Sequence, residues 1–105
     1  MVLMDRDTII AKLQKCRAEL QELGVISASV FGSTARGDNT PASDVDIAVK
    51  LDPARTPYGL DGLGRLMEIE ERLQALLEKP VDVVPEPARK ERLQQQIDKE
   101  RVIAF

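Results

Sequence analysis

Gly32-Ser33, ten residues, then Asp44-Val45-Asp46 is the spacing in this chain with the most chemical content. The full segment reads Gly32-Ser33-Thr34-Ala35-Arg36-Gly37-Asp38-Asn39-Thr40-Pro41-Ala42-Ser43-Asp44-Val45-Asp46. Residues i and i+2 of a strand point to the same side, so Asp44 and Asp46 share a face, about 7 Å apart along the backbone. Carboxylates at that separation can lean together onto divalent cations, which sit about 3.5–4 Å apart in two-metal sites. A glycine turn that opens a helix offers free backbone N–H groups to phosphate oxygens. A phosphate cradle beside a carboxylate cage is equipment for phosphoryl or nucleotidyl transfer.

These residues need elements to position them. Val25 to Phe31 is short, β-branched and ends at Gly32, so it reads as a strand. Ser33 to Arg36 can form one helical turn, and Gly37 to Ser43 has loop composition. From Asp44 to Leu51 the chain alternates: Val45, Ile47, Val49 and Leu51 face one way, Asp44, Asp46, Ala48 and Lys50 the other. Upstream, Ile9, Ile10, Leu13, Cys16, Leu20 and Leu23 predict a helix over 8–23, capped by Asp7 or Thr8 and closed at Gly24. Downstream, Asp52 to Gly59 is a connector. A helix runs from Leu60 on Leu63, Leu66, Met67, Ile69, Leu73, Leu76 and Leu77 until Pro80 ends it. The glycine-rich stretch Gly59 to Gly64 departs from G-x-G-x-x-G and reads as the opening of that helix. Val81 to Val84 is a short strand, 88–99 a charged helix with Leu93 and Ile97 as a thin stripe, and Val102 to Phe105 a last strand or docking tail. The expected fold is α+β: one small mixed sheet with helices packed on one face and the aspartates on the other, open to ligand.

Composition narrows the function. The chain has 105 residues, which we expect to form a single domain over 1–105. Aromatics make up 3%, so the core must be aliphatic. A formal net charge of -3 argues against direct nucleic-acid binding, which calls for a basic surface. The lone Cys16 excludes an internal disulfide and reads as core packing in a reducing compartment. No apolar run could span a bilayer and residues 1–7 lack the pattern of a signal peptide, so a cytoplasmic location is expected. The chain has no histidine, which removes Ser-His-Asp and Cys-His catalysis and leaves carboxylate, lysine, tyrosine or water as general base.

Two aspartates on one strand face repel unless a cation sits between them, and aspartate is disfavoured in strands, so a mere solvated edge explains Asp44 and Asp46 poorly. Asp82, between Val81 and Val83, is a third candidate ligand. Arg36 lies one helical turn after Ser33, where it could hold a triphosphate or pair with Asp38. Arg89, Lys90 and Arg92 form a basic cluster that is either a solvated helix face or a contact for phosphates or an acidic partner.

Gly-Ser, ten residues and Asp-x-Asp resembles the signature of the DNA polymerase β-like nucleotidyltransferase superfamily. Ala35-Arg36-Gly37 after Gly-Ser, and Ser43 before the first aspartate, are similar to its minimal nucleotidyltransferases. Val81-Asp82-Val83-Val84 resembles the strand that carries the family's third carboxylate. The resemblance implies nucleotide binding by Gly32, Ser33 and Arg36. It also implies two Mg²⁺ ions, or Mn²⁺ in their place, on the catalytic carboxylates Asp44, Asp46 and Asp82, with ATP as substrate. Stand-alone members resemble antitoxins that transfer AMP to a tyrosine of a HEPN-type toxin, an RNase. With no acceptor domain in the chain, the resemblance implies an acceptor bound in trans. Hetero- or homo-oligomers and a docking role for 88–105 follow as options. A non-catalytic module that masks a toxin, or a dimeric transferase of antibiotic type acting on a small molecule, are the alternatives.

Overall fold

The computed structural model describes residues 5–54 and 60–105, with the side chains of all of these but 60–63. The elements are α1 (Arg6–Lys15), α2 (Arg17–Glu22), β1 (Val25–Phe31), α3 (Gly32–Arg36), β2 (Val45–Leu51), α4 (Leu60–Leu77), β3 (Val81–Pro85), α5 (Glu91–Glu100) and β4 (Val102–Ile103). The strands form a mixed four-stranded sheet in the order β3-β2-β1-β4. β2 runs antiparallel to β1 and parallel to β3, and β4 pairs antiparallel with β1. The parallel step is possible because α4 provides the long crossover that two parallel neighbours require.

The first helix departs from the expected 8–23 span. It starts at Arg6 and is capped by Asp5, whose carboxylate accepts the Thr8 N–H at 2.9 Å, so neither Asp7 nor Thr8 is the cap. At Cys16 the turn tightens, its N–H shared between the carbonyls of Lys12 (3.3 Å) and Leu13 (3.1 Å), and a second helix follows. The apolar stripe survives the break: Ile9, Leu13 and Leu20 are all buried. Gly24 takes the left-handed conformation (φ 98°) that reverses the chain into β1, as its place after the helix predicts.

Strand alternation divides the sheet into two faces. Val25, Ala28, Val30, Val45, Ile47, Val49, Val81 and Val83 point to one side and join Ile9, Leu13, Leu20, Ile69, Leu73 and Leu77 in the main core. Burying each such aliphatic side chain contributes about 1.5–3 kcal/mol. Cys16 packs against the edge of this core, as expected. The other face carries Phe31, Ala48, Asp46, Asp82 and Val84. It is not wholly open: α5 lies over part of it, where Leu93 and Ile97 pack with Phe31, Ala48, Val84 and Ala88. The thin apolar stripe of α5 matches this small second core. The part of this face left uncovered by that packing includes the exposed Asp82 and the half-buried Asp46.

Val102–Ile103 is a strand rather than a loose tail, and it extends the sheet beside β1. Among the described residues no helix is long and apolar enough to cross a membrane. The connector 52–59 and the glycine-rich stretch 59–64 lie largely outside the described residues.

Candidate active site

The site assembles at the junction of β1 and α3. β1 ends on Phe31, which sits opposite Asp46 in the ladder. Gly32 then turns with φ +74°, a conformation that side chains rarely tolerate. The turn is tight against β2: a Cβ on Gly32 would run into Oδ2 of Asp46 and lie 3.2 Å from its Cγ. Glycine is therefore required twice here, by backbone conformation and by the carboxylate next to it. The short helix closes on Gly37 (φ 84°), and the N–H groups of Gly37 and Asp38 both donate to the Ser33 carbonyl, at 3.0 and 3.1 Å. Arg6 ties the end of α3 to α1 by donating to the Ala35 carbonyl at 3.2 Å.

The carboxylates come from two strands. Asp46 is half-buried near the start of β2, and Asp82 on β3 is its register partner, so both point to the same face. Asp82 is exposed, on the side opposite its buried neighbours Val81 and Val83. Asp44 is exposed and immediately precedes β2, which begins at Val45, one residue later than the alternation suggests. The Val45 N–H donates to the Pro80 carbonyl at 3.0 Å, locking the β2 and β3 starts together. Burial pushes the Asp46 carboxyl above its ordinary pKa, and the charges of Asp82 and Asp44 push it further against the pull of Arg36.

Arg36 is exposed and does pair with Asp38, at 3.2 Å, but it makes a shorter ion pair with Glu100, at 2.8 Å. Glu100 is the residue that sequence reasoning missed. It lies at the end of α5, accepts the Gly32 N–H at 3.3 Å, and is held by Gln96 at 3.0 Å. No local motif marks it, because the partners that bring it to the turn, Arg36 and Gly32, are 64 and 68 residues away. Ser33 is half-buried beside Gly32. Arg89, Lys90 and Arg92 are exposed around the start of α5.

As the side chains stand, no three acidic or sulfur- or nitrogen-donor groups among the described residues converge closely enough to hold a cation. The donor chemistry nonetheless suits one. Asp44, Asp46 and Asp82 offer only hard carboxylate oxygens, the ligands of Mg²⁺ and Mn²⁺. Asp46 faces its two acidic neighbours with Arg36 as the opposing cation, and Arg36 is already engaged by Asp38 and Glu100.

A small mixed sheet with a helix-bearing glycine turn at one end of its central strands is the architecture of minimal nucleotidyltransferases. Residues 12–104 match the nucleotidyltransferase domain family. The chain belongs to that family and is a nucleotidyltransferase. It is 36% identical over 85 residues to the protein adenylyltransferase MntA of Thermococcus cleftensis, covering 80% of each chain. A solved structure assigned as a minimal nucleotidyltransferase superposes with a TM-score of 0.76 at 29% identity, covering 97% of this chain and 98% of that one. The fold is also shared, at 21% identity and a TM-score of 0.63, with a structure of a tri-AMPylated Shewanella oneidensis HEPN toxin in complex with its MNT antitoxin; the match covers 92% of this chain and 71% of that one.

Proposed function

We propose that this chain is the antitoxin of a toxin–antitoxin pair and transfers AMP from ATP to a tyrosine hydroxyl of a HEPN-type partner. The observation that carries this reading is the placement of Asp46 against the Gly32 turn with Asp82 beside it in register, a glycine turn next to paired carboxylates. The identity with MntA, a protein adenylyltransferase, supports a protein acceptor.

In this reading the Gly32 backbone and Ser33 hold the β- and γ-phosphates, and Arg36 orients the triphosphate. Asp44, Asp46 and Asp82 would bind Mg²⁺ or Mn²⁺, which when bound supplies Lewis-acid polarisation of phosphate oxygens and favours ionisation of the incoming hydroxyl. The acceptor oxygen forms a bond to the α-phosphorus, the bond from that phosphorus to the β-phosphate oxygen breaks, and pyrophosphate leaves. Asp82, exposed on the same face as Asp46, would help activate the hydroxyl and accept its proton. A phenol suits a site without histidine, since its pKa near 10 makes it far easier to ionise than an aliphatic alcohol.

The test is incubation with labelled ATP, Mg²⁺ and the product of the adjacent gene, followed by mass-spectrometric mapping. AMP on a tyrosine of that protein is the expected result. Label on a small molecule, or complex formation with no label transferred, would overturn the proposal.

A further inference from the structure

We propose that Glu100 is an internal occupant of the phosphate cradle, which an incoming nucleotide must displace while Arg36 exchanges its carboxylate partner for a phosphate. The inference rests on the nucleotide reading of the site and concerns what that reading does not contain: a residue that sets nucleotide affinity from the far end of the chain.

Glu100 takes the donors that a phosphate would use. One carboxylate oxygen accepts the Gly32 N–H at 3.3 Å and the other the Arg36 guanidinium at 2.8 Å. Its side chain is 16% exposed, so it is seated rather than waving in solvent. Yet its position is electrostatically costly. It is the last residue of α5, where the helix dipole disfavours a negative charge. Its charge also bears on Asp46, which already faces Asp82 and Asp44. The contacts that offset both penalties are the Gly32 N–H, Arg36 and the Gln96 amide. A carboxylate held against two opposing fields by displaceable donors is suited to exchange with a more highly charged anion. The exchange is one of like for like: negative oxygen leaves the cradle as negative oxygen enters, so neither Gly32 nor Arg36 is stranded at any stage.

The displacement also has a structural address. Arg101, the next residue, is anchored to Glu86 at 2.7 Å and to Asp98 at 2.9 Å, and β4 follows directly. Release of Glu100 therefore frees the last turn of α5 on one side while Arg101 keeps it pinned on the other.

The experiment is calorimetric binding of Mg²⁺ with α,β-methylene-ATP, whose α–β bridge cannot be broken by transfer, to the wild-type chain, Glu100→Gln, Glu100→Ala and Asp98→Asn. Melting curves establish that each variant is folded. Asp98→Asn removes a like charge from the same helix, but from a residue that faces Arg101 and Gln94 rather than the cradle. Both Glu100 variants should bind about tenfold more tightly than wild type, the equivalent of one charge-assisted contact no longer competed for, while Asp98→Asn is unchanged. Unchanged or weaker binding by the Glu100 variants overturns the proposal, as does an equal gain in Asp98→Asn, which would reduce the effect to net charge. If wild type and all variants fail to bind the analogue, the nucleotide reading itself falls and this inference falls with it.

Discussion

Replacing Gly32 by alanine tests the geometry of the site with a single methyl group. Two costs follow from the structure. The first is conformational: at φ +74° an L-residue is disfavoured by about 1–2 kcal/mol. Part of this is offset, because alanine lowers the entropy of the unfolded chain by about 0.4–1 kcal/mol. The second is steric. The new Cβ meets the Asp46 carboxylate, with Cγ at 3.2 Å and Cβ at 3.4 Å, so the side chain must leave its rotamer at about 0.5–1.5 kcal/mol. The net loss should be about 2 kcal/mol, read as a fall in Tm of roughly 8–16 °C for a chain of this size. AMP transfer should be lost at temperatures where the variant is still folded, because the methyl group occupies the cradle and displaces Asp46. Comparing Gly32→Ala in the wild-type and Asp46→Ala backgrounds separates the two costs. With Asp46 shortened, the steric part should vanish and about 1 kcal/mol of backbone strain remain. An equal cost in both backgrounds would refute the contact with Asp46, and an unchanged Tm in Gly32→Ala alone would refute the strained turn.

Asp46→Asn should abolish transfer yet stabilise the metal-free chain near neutral pH. Burial and the charges of Asp82 and Asp44 raise the Asp46 carboxyl, so the folded state holds its proton more tightly than the unfolded one. Wild-type stability should therefore fall as pH rises from the ordinary aspartate value of about 3.9 through the raised folded value, and urea titrations should show this slope reduced in the variant. Arg101→Met should cost about 3 kcal/mol, because Glu86, 5% exposed, loses the partner that with Gln94 offsets its burial and holds its carboxyl low; chemical denaturation would show a smaller loss if the pair is unimportant. That same pair contributes stability above the ordinary glutamate pKa that should disappear as pH falls, and Arg101→Met should lack this acid dependence. Asp82→Ala should reduce transfer far more than it weakens nucleotide binding; equal losses would assign Asp82 to binding alone. Chelation with EDTA should stop transfer and Mg²⁺ or Mn²⁺ restore it, whereas activity that persists in the chelator would reject the carboxylates as cation ligands.

Much of the arrangement of the candidate site is legible because its parts are local or periodic. Gly32 and Ser33 are punctuation at the end of a β-branched run, and the alternation of 45–51 assigns Asp46 to the face opposite Ile47. Alternation sets Asp82 opposite Val81 and Val83, but sequence alone does not say which residues of another strand share its side. Its pairing with Asp46 across the parallel ladder brings the two carboxylates to one face. The stripe of α5 gave its amphipathic character, while the choice of the sheet's second face depends on the complementary surface of Phe31, Ala48 and Val84. The cap at Asp5 escaped because Asp7 and Thr8 are equally good capping residues, and the choice was settled by which carboxylate reaches the Thr8 N–H. Glu100 was not legible at all, since a glutamate in a charged helix has no sequence mark that distinguishes a solvated residue from one that reaches across the fold.

The parallel pairing of β2 and β3 makes the hydrophobic core the alignment gauge of the carboxylates. Val81 and Val83 lie beside Val45 and Ile47 inside, and the same register sets Asp82 level with Asp46 outside. A slip of one residue would bury Asp82 and expose both valines, a prohibitively unfavourable error. A slip of two would keep the valines inside but shift Asp82 by about 6.6 Å, beyond the reach of any shared ligand. Against the second error stand the contacts at the two ends of the pairing, the Val45 N–H on the Pro80 carbonyl at 3.0 Å and the Glu86 N–H on the Val49 carbonyl at 2.8 Å. Substitutions at Val83, which points into the core, are in this sense adjustments to the alignment of Asp82 with Asp46.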